Sequence, residues 1–241
     1  MVGFPLTRNS LIAGVRSTDR ELRQRAFAAL VTAYWKPVYK YFRVRWRASP
    51  EDAQDLTQGF FTEVLEKGAF DGYDPDRARF RTYLRTCLDG FVANERRAAR
   101  RLKRGGGAAL LSLDFLDAEG ELRRQEPAAD TDLDAYFQRE WVRHVFGLAV
   151  TAFERECAAS GKTGYFALFK RYDVDGPAAN ASLSYETLAR EFGLPVTQVT
   201  NHLAWARRAF RRVVLAMLAD LTCSEEEFRA VVREVLGVDG P

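Results

Sequence analysis

The chain has 241 residues, of which 47% are apolar and 12% aromatic, enough to bury one large core or two small ones. Its three cysteines, at positions 87, 157 and 223, lie far apart without a CxxC motif, which argues against a disulfide framework and a zinc site. The sequence shows no cationic leader and no apolar run of about 18 residues. We therefore expect a cytoplasmic protein that does not bind membranes.

The net charge is only +3, but the charges are distributed unevenly. Residues 77–104 carry ten Lys and Arg against two acids, a balance of +8, whereas residues 112–140 carry nine acids against three Arg, a balance of −6. Residues 195–219 carry four Arg and no acid. Such blocks indicate partners of opposite charge, although a solvated helix face is the alternative for each of them.

The first half of the chain has three helical patterns. Residues 19–46 have apolar side chains close to helical spacing, and Pro37 is expected to kink this helix or break it in two. The second helix is predicted over 50–67, since Ser49 can cap it and acids follow at the positive end of the helix dipole. The third runs over 80–104 and should end at the three glycines that follow.

The third helix is apolar on one side and rich in arginine on the other. We expect Arg81 and Arg85 on its exposed side, and the loop over 73–79 adds an aromatic and two arginines before it. An unpaired base needs stacking surfaces, hydrogen-bond donors and a basic track for its strand. The pattern is thus typical of a single-strand binding surface, with an ordinary basic, solvated helix as the alternative.

Residues 105–132 are dominated by Gly, Ala, acids and proline, and we assign them no firm structure. Helices are predicted again over 133–158 and 165–172, followed by a loop over 173–183.

Residues 184–212 have the length of a helix-turn-helix: a short helix capped by Ser184, a turn at Gly193, and a longer second helix. The start of the second helix carries polar, uncharged residues, of which Gln198 and Asn201 can pair with adenine. The arginines further along suit phosphates. An ordinary helical hairpin is the alternative. A last helix begins at Ser224, and the whole chain is predicted to be all-α.

An enzyme has little support in this sequence. The two histidines, His144 and His202, are far apart on different predicted helices, and no glycine-rich loop follows a strand. We therefore predict no catalytic site, no metal and no cofactor.

Three segments together resemble the sigma factors of bacterial RNA polymerase, in the extracytoplasmic-function (ECF) group. DAQDLTQGFFTEVL and YDPDRARFRTYLRTCLDGFVANERR resemble the family's region 2, and SYETLAREFGLPVTQVTNHLAWARRAFRRVV resembles its region 4. The resemblance implies two helical domains: a region 2-like domain over 1–104 and a region 4-like domain over 133–221. A flexible acidic linker over 105–132 would join them, and an extra C-terminal segment would cover 222–241.

The resemblance also implies roles for residues, position by position. Contact with the clamp helices of the largest polymerase subunit would involve Asp52, Asp55, Leu56, Gln58, Phe61 and Glu63. The −10 promoter element would be read and melted by Tyr73, Arg77, Arg79, Arg81, Arg85, Asn94, Arg96 and Arg97. The −35 element would be contacted by Thr197, Gln198, Thr200, Asn201, His202, Arg207, Arg208 and Arg211.

The implied partners are core RNA polymerase, through the clamp helices and the β flap, promoter DNA, and an anti-sigma factor or other regulator. The acidic linker would enter the basic channels of the polymerase or serve as a plain tether. The rival interpretations are a standalone helix-turn-helix regulator, a protein-interaction module of the anti-sigma type, and an enzyme acting on nucleic acid.

Overall fold

The structure is a computed structural model that describes residues 11–67, 70–99, 113–125, 127, 131–176, 183–222 and 224–237. Over these ranges the chain is helical without a strand, so the predicted all-α fold is confirmed. The helices are α1 (Leu11–Val15), α2 (Arg20–Arg45), α3 (Pro50–Lys67), α4 (Phe80–Ala99), α5 (Phe115–Arg124), α6 (Leu133–Ala159), α7 (Thr163–Phe169), α8 (Tyr185–Phe192), α9 (Val196–Leu221) and α10 (Glu225–Leu236).

The chain divides into two compact units. The first comprises Met1–Val145 and Ala219–Pro241, and the second comprises Phe146–Leu218. Helices α1 to α5 and α10 belong to the first unit and α7 and α8 to the second, while the boundaries fall inside α6 and α9. In the part of the chain that the structure describes, no helix is long and apolar enough to cross a bilayer.

Helix α2 is the central helix of the first unit. Asp19 caps it by accepting hydrogen bonds from the backbone N–H groups of Glu21 and Leu22. The side chains of Tyr34 and Phe42 are fully buried, and the Tyr34 ring lies 5.6 Å from Phe80 on α4 and 5.9 Å from Trp141 on α6. The buried residues of α2 between Leu30 and Phe42 face several sides of the helix, and most of the side chains in this stretch are therefore apolar or aromatic.

Helix α2 continues through Pro37, so the predicted break into two helices does not occur. A proline inside a helix loses one backbone hydrogen bond. The Pro37 ring is buried between turns that carry fully buried Tyr34 and Tyr41, and this packing stabilises the continuous helix.

Helix α5 lies within the segment for which we predicted no firm structure, so that prediction is wrong for Phe115–Arg124. Asp114 caps the helix by accepting from the N–H of Asp117, and Phe115 packs 5.5 Å from Trp35 and 5.3 Å from Tyr39 on α2. The helix is short and polar, so its stability depends on packing that the local sequence does not reveal. Residues 105–112, 126 and 128–130 of the predicted linker lie outside the described residues.

The acids of α5 form ion pairs with the basic residues of α2. Glu121 pairs with Lys36 at 2.8 Å and with Lys40 at 2.6 Å, and Glu119 pairs with Arg43 at 2.9 Å. Asp117 is a further partner of Lys36 at 2.8 Å. The three acids of α5, which belong to the negatively charged stretch over 112–140, are therefore already paired with cations of the same chain.

The core of the second unit is built around Phe153 on α6. Its ring lies 5.3 Å from Phe169, 5.8 Å from Phe210 and 6.3 Å from Trp205. Helix α7 ends at Phe169 and continues as a π-helical turn over Lys170–Val174, close to the predicted end of this helix. These rings connect α6, α7 and α9 and so fix the position of α9 within the second unit.

Candidate nucleic-acid interface

The predicted short helix, tight turn and second helix are present as α8, Gly193–Pro195 and α9. The Ser184 hydroxyl accepts from the N–H of Thr187 at 3.2 Å and caps α8. Gly193 has a φ of 64°, and its N–H and that of Leu194 both donate to the carbonyl of Ala189. Glycine adopts this left-handed conformation at little cost, which explains why the chain can turn so tightly here.

Four residues in the first two turns of α9 form a polar, uncharged surface that points outward. Thr197, Gln198, Thr200 and Asn201 are all exposed, while Val199 and Leu203 between them are fully buried. Among the described residues, the side chains of Thr197, Gln198 and Asn201 make no hydrogen bond, and Thr200 donates to the Val196 carbonyl at 3.1 Å. Their donors and acceptors are thus available to a ligand in the solvent.

His202 is less accessible than its neighbours. Its ring stacks on Tyr165 at a centroid distance of 3.8 Å, and its Nδ1 atom is buried without a hydrogen-bond partner in the described ranges. The ring therefore supports the outer face of α9 as packing between α7 and α9.

The arginines of α9 divide into two groups. Arg207 donates to both carboxylate oxygens of Asp173 at 2.9 to 3.2 Å and lies over the Tyr172 ring. These hydrogen bonds are the largest cause of the raised pKa of Arg207. Arg208 is exposed and Arg211 is half-buried. Arg207 thus connects α9 to the turn after α7, whereas Arg208 forms no ion pair among the described residues.

On α3, five of the six candidate polymerase-binding residues lie at the surface, and three of these five are acids. Asp52 and Asp55 are exposed, and Leu56, Gln58 and Glu63 are half-buried. The surface borders a cleft of about 410 Å³ whose lining includes Trp46, Arg47, Asp52, Asp55, Leu56 and Arg96.

Phe61, assigned to the same group of candidates, lies in the core. Its side chain is 2% exposed and packs edge-on against Phe27 at 6.5 Å and Phe60 at 5.4 Å. It holds α3 against α2 and presents no surface of its own in this arrangement.

The loop before α4 is held in place by Arg16, a residue that the sequence did not single out. Arg16 Nε donates to the Phe70 carbonyl at 3.0 Å and Nη2 to the Tyr73 carbonyl at 2.9 Å. Tyr73 itself is 6% exposed and packs on Phe80 and Tyr83, so the expected exposed aromatic of this loop is buried. Arg77 and Arg79 remain exposed.

The basic face of α4 is exposed at its C-terminal end and covered near its start. Asn94, Arg96 and Arg97 are exposed, and Arg96 lies 4.5 Å from the Trp46 ring centroid. Arg81 is only 4% exposed, so its predicted position on the exposed side of the helix is wrong. Arg85 is half-buried and ion-paired with Asp134. The predicted extension of α4 to Arg104 falls outside the described residues.

No group of three or more His, Cys, Asp or Glu side chains that could hold a metal ion occurs in the described ranges.

Residues 30–102 match the family model for sigma-70 region 2, a range that contains α3, α4 and most of α2. The match covers about 30% of the chain and indicates a likeness to this region of the sigma-70 factors. No curated protein and no solved structure matches the chain.

Proposed function

We propose that this chain is an ECF-type sigma factor that binds core RNA polymerase, directs it to a set of promoters and assists DNA melting. The observation that carries the proposal is the sigma-70 region 2 match over 30–102, combined with the α8–α9 hairpin further along the same chain. A sigma factor of this kind needs no catalytic site of its own.

The acidic surface of α3 is proposed to bind the clamp helices of the largest polymerase subunit. Asp52 and Asp55 supply charge at the exposed start of α3, and Leu56 and Gln58 supply a half-buried apolar and amide surface beside them. The adjoining cleft, whose lining includes Trp46, is proposed to accept a side chain from that partner. Glu63 continues the surface two turns further on.

The −10 element is proposed to bind along the loop over 73–79 and the basic face of α4. Arg77 and Arg79 lie in the second half of the loop, Arg96 and Arg97 carry the same charge at the other end of the helix, and Asn94 adds a neutral amide beside them. Guanidinium groups bind phosphates with two parallel hydrogen bonds, and asparagine reads a base edge. Arg81 and Arg85 lie between these two groups along α4.

The −35 element is proposed to lie against the start of α9. Thr197, Gln198, Thr200 and Asn201 would reach base edges in the major groove, with Arg208 on a phosphate. The second unit is also proposed to meet the β flap of the polymerase, and an anti-sigma factor or other regulator would compete for these surfaces.

In vitro transcription tests this proposal. Core polymerase would be incubated with and without the full chain on DNA from upstream of its own coding sequence. We expect discrete new transcripts that are lost with Asp55→Ala combined with Gln58→Ala. Glu154→Ala, an exposed acid on α6 in the second unit, is the matched control and should transcribe normally.

Absence of transcripts together with absence of polymerase in a pull-down would contradict the proposal. Sequence-specific binding to duplex DNA under those conditions would replace it with a standalone helix-turn-helix regulator, since the α8–α9 hairpin alone suffices for that function.

A further inference from the structure

Three arginines at the start of α4 are paired with acids from distant parts of the same unit. Glu234 on α10 lies 3.6 Å from Nη1 of Arg79 and 3.9 Å from Nη2 of Arg81. Asp134, in the first turn of α6, forms an ion pair with Arg85. These arginines lie among the residues proposed above to bind the promoter strand.

Arg81 is the most enclosed of the three. Its guanidinium group lies 4.2 Å from the Trp141 ring centroid, and its Nε donates to Gln138 at 2.7 Å. Neither Nη1 nor Nη2 makes a hydrogen bond with any residue that the structure describes. Arginine has five N–H donors arranged to match a carboxylate or a phosphate, so the Nη donors of Arg81 can still bind an anion that comes closer than Glu234 does.

Helix α10 holds Glu234 in this position. Ser224 caps the helix by accepting from the N–H of Glu227 at 3.1 Å, and the side chains of Phe228, Val231 and Val232 are buried. Gln138 on α6 donates a hydrogen bond to Glu234. The apolar face of α10 therefore docks in the first unit and directs one carboxylate at the arginines.

The space that remains beside Arg81 and Arg85 is too small for a nucleic-acid strand. A cavity of about 50 Å³ lies between Arg81, Thr82, Arg85, Asp134, Phe137 and Gln138. A site of this size holds one or two water molecules. A strand phosphate could reach Arg81 and Arg85 only after α10 and the start of α6 have moved aside.

We propose that Glu234 and Asp134 form an acidic cover that occupies the phosphate positions of Arg79, Arg81 and Arg85 in the free protein. Carboxylate and phosphate compete for the same guanidinium donors, so the cover lowers the affinity for single-stranded DNA until it is displaced. This proposal rests on the proposed function, because it regulates the same strand-binding surface.

Fluorescence anisotropy with labelled oligothymidylate and the full chain tests the cover directly. We expect Glu234→Gln and Asp134→Asn each to bind the oligonucleotide about fivefold more tightly than the unmodified chain, and the double variant about twentyfold. Both changes preserve side-chain volume. Glu226→Gln, an exposed acid on the same helix, is the matched control and should bind as the unmodified chain does.

Two further measurements separate the cover from a general charge effect. In an Arg85→Gln background, Asp134→Asn should no longer increase affinity, because its partner is gone. The slope of log affinity against log salt should become steeper in the double variant, by about 0.7 for every additional phosphate bound. Double-variant binding equal to that of the Glu226→Gln control, with an unchanged salt slope, would overturn the proposal.

The same preparations distinguish this proposal from the proposed function. Transcripts obtained with core polymerase and the unmodified chain, without tighter oligonucleotide binding by the variants, would overturn the cover and leave the sigma assignment in place. Tighter binding by the variants without any transcripts would support the cover on a single-strand-binding surface and contradict the sigma assignment.

Discussion

The ammonium group of Lys40 on α2 lies 2.6 Å from a carboxylate oxygen of Glu140 on α6, and neither side chain is more than 7% exposed. Lys40 also pairs with Glu121 on α5 at 2.6 Å, so one buried cation connects three helices of the first unit. A buried ion that loses its partner is strongly destabilising because it remains desolvated without compensation.

Replacing Lys40 with Met should therefore lower the free energy of unfolding by about 3 to 5 kcal/mol. The double variant Lys40→Met, Glu140→Met should recover part of this loss, since two apolar side chains of similar length can pack together. Urea denaturation followed by circular dichroism measures both. Arg25→Ala breaks an exposed pair with Glu21 and is the control; a loss as large as that of Lys40→Met would contradict the argument.

The stability of the first unit should decrease at mildly acidic pH because of His144. Its Nε2 lies 2.7 Å from the Thr32 carbonyl, and burial lowers the pKa of the ring to about 4, partly opposed by that hydrogen bond. The unfolded chain takes up a proton near pH 6.5, which the folded chain does not. The free energy of unfolding should thus fall as pH falls from 6.5 towards 4, by up to about 1.4 kcal/mol per pH unit.

His144→Gln keeps an N–H donor for Thr32 and should remove this pH dependence in urea denaturation between pH 7 and pH 5. Glu119 does not interfere in this window. Its pKa is lowered from 4.5 to about 2, first by its hydrogen bond to Arg43, so it destabilises the fold only below pH 4.5. If the free energy of unfolding of the His144→Gln variant fell equally steeply with pH, His144 would be excluded as the cause of the pH dependence.

The turn of the α8–α9 hairpin should be sensitive to a side chain at Gly193. At a φ of 64°, alanine is strained, so Gly193→Ala should lower the free energy of unfolding by about 1 to 2 kcal/mol. Gly147 is the matched control in the same unit: it lies in α6 with no atom within 4 Å of an added Cβ. Gly147→Ala should therefore stabilise the protein by about 0.5 to 1 kcal/mol. Thermal unfolding gives both values. A loss of stability in both variants would contradict the explanation based on the left-handed conformation of Gly193.

The two adjacent arginines of α9 should have separable effects. Arg208→Ala should weaken binding to duplex DNA about equally for all sequences and reduce the salt slope by about 0.9, as expected for one phosphate contact. Arg207→Ala should chiefly lower thermal stability, because it removes the contact with Asp173. Anisotropy at several salt concentrations, with thermal melts of the same preparations, measures both effects. If the two variants changed DNA affinity and thermal stability equally, the separate roles of Arg207 and Arg208 would be contradicted.

Most helix bounds could be predicted because their signals are local. Ser49, Ser184 and Ser224 precede helices with apolar residues at three- and four-residue spacing, and Gly193 and Gly237 take up left-handed conformations at helix ends. These signals depend on neighbours a turn away, so they are visible without knowledge of the fold.

Helices α1 and α5 were not predicted, for the opposite reason. Both are short, and neither would be stable alone in water. Leu11 and Ile12 on α1, and Phe115 on α5, are buried because other parts of the unit pack against them. Their helical state is thus a consequence of tertiary packing.

The sequence by itself determined the all-α class, the order of the long helices and the residue types available for binding, since helical periodicity and capping are encoded within a few residues. Only the tertiary structure decided which of those residues face the solvent. Arg81 and Arg96 belong to the same arginine-rich helix, but Trp141 and Glu234 cover the first and leave the second exposed. Burial depends on groups brought together from positions far apart in the chain, and no local pattern contains that information.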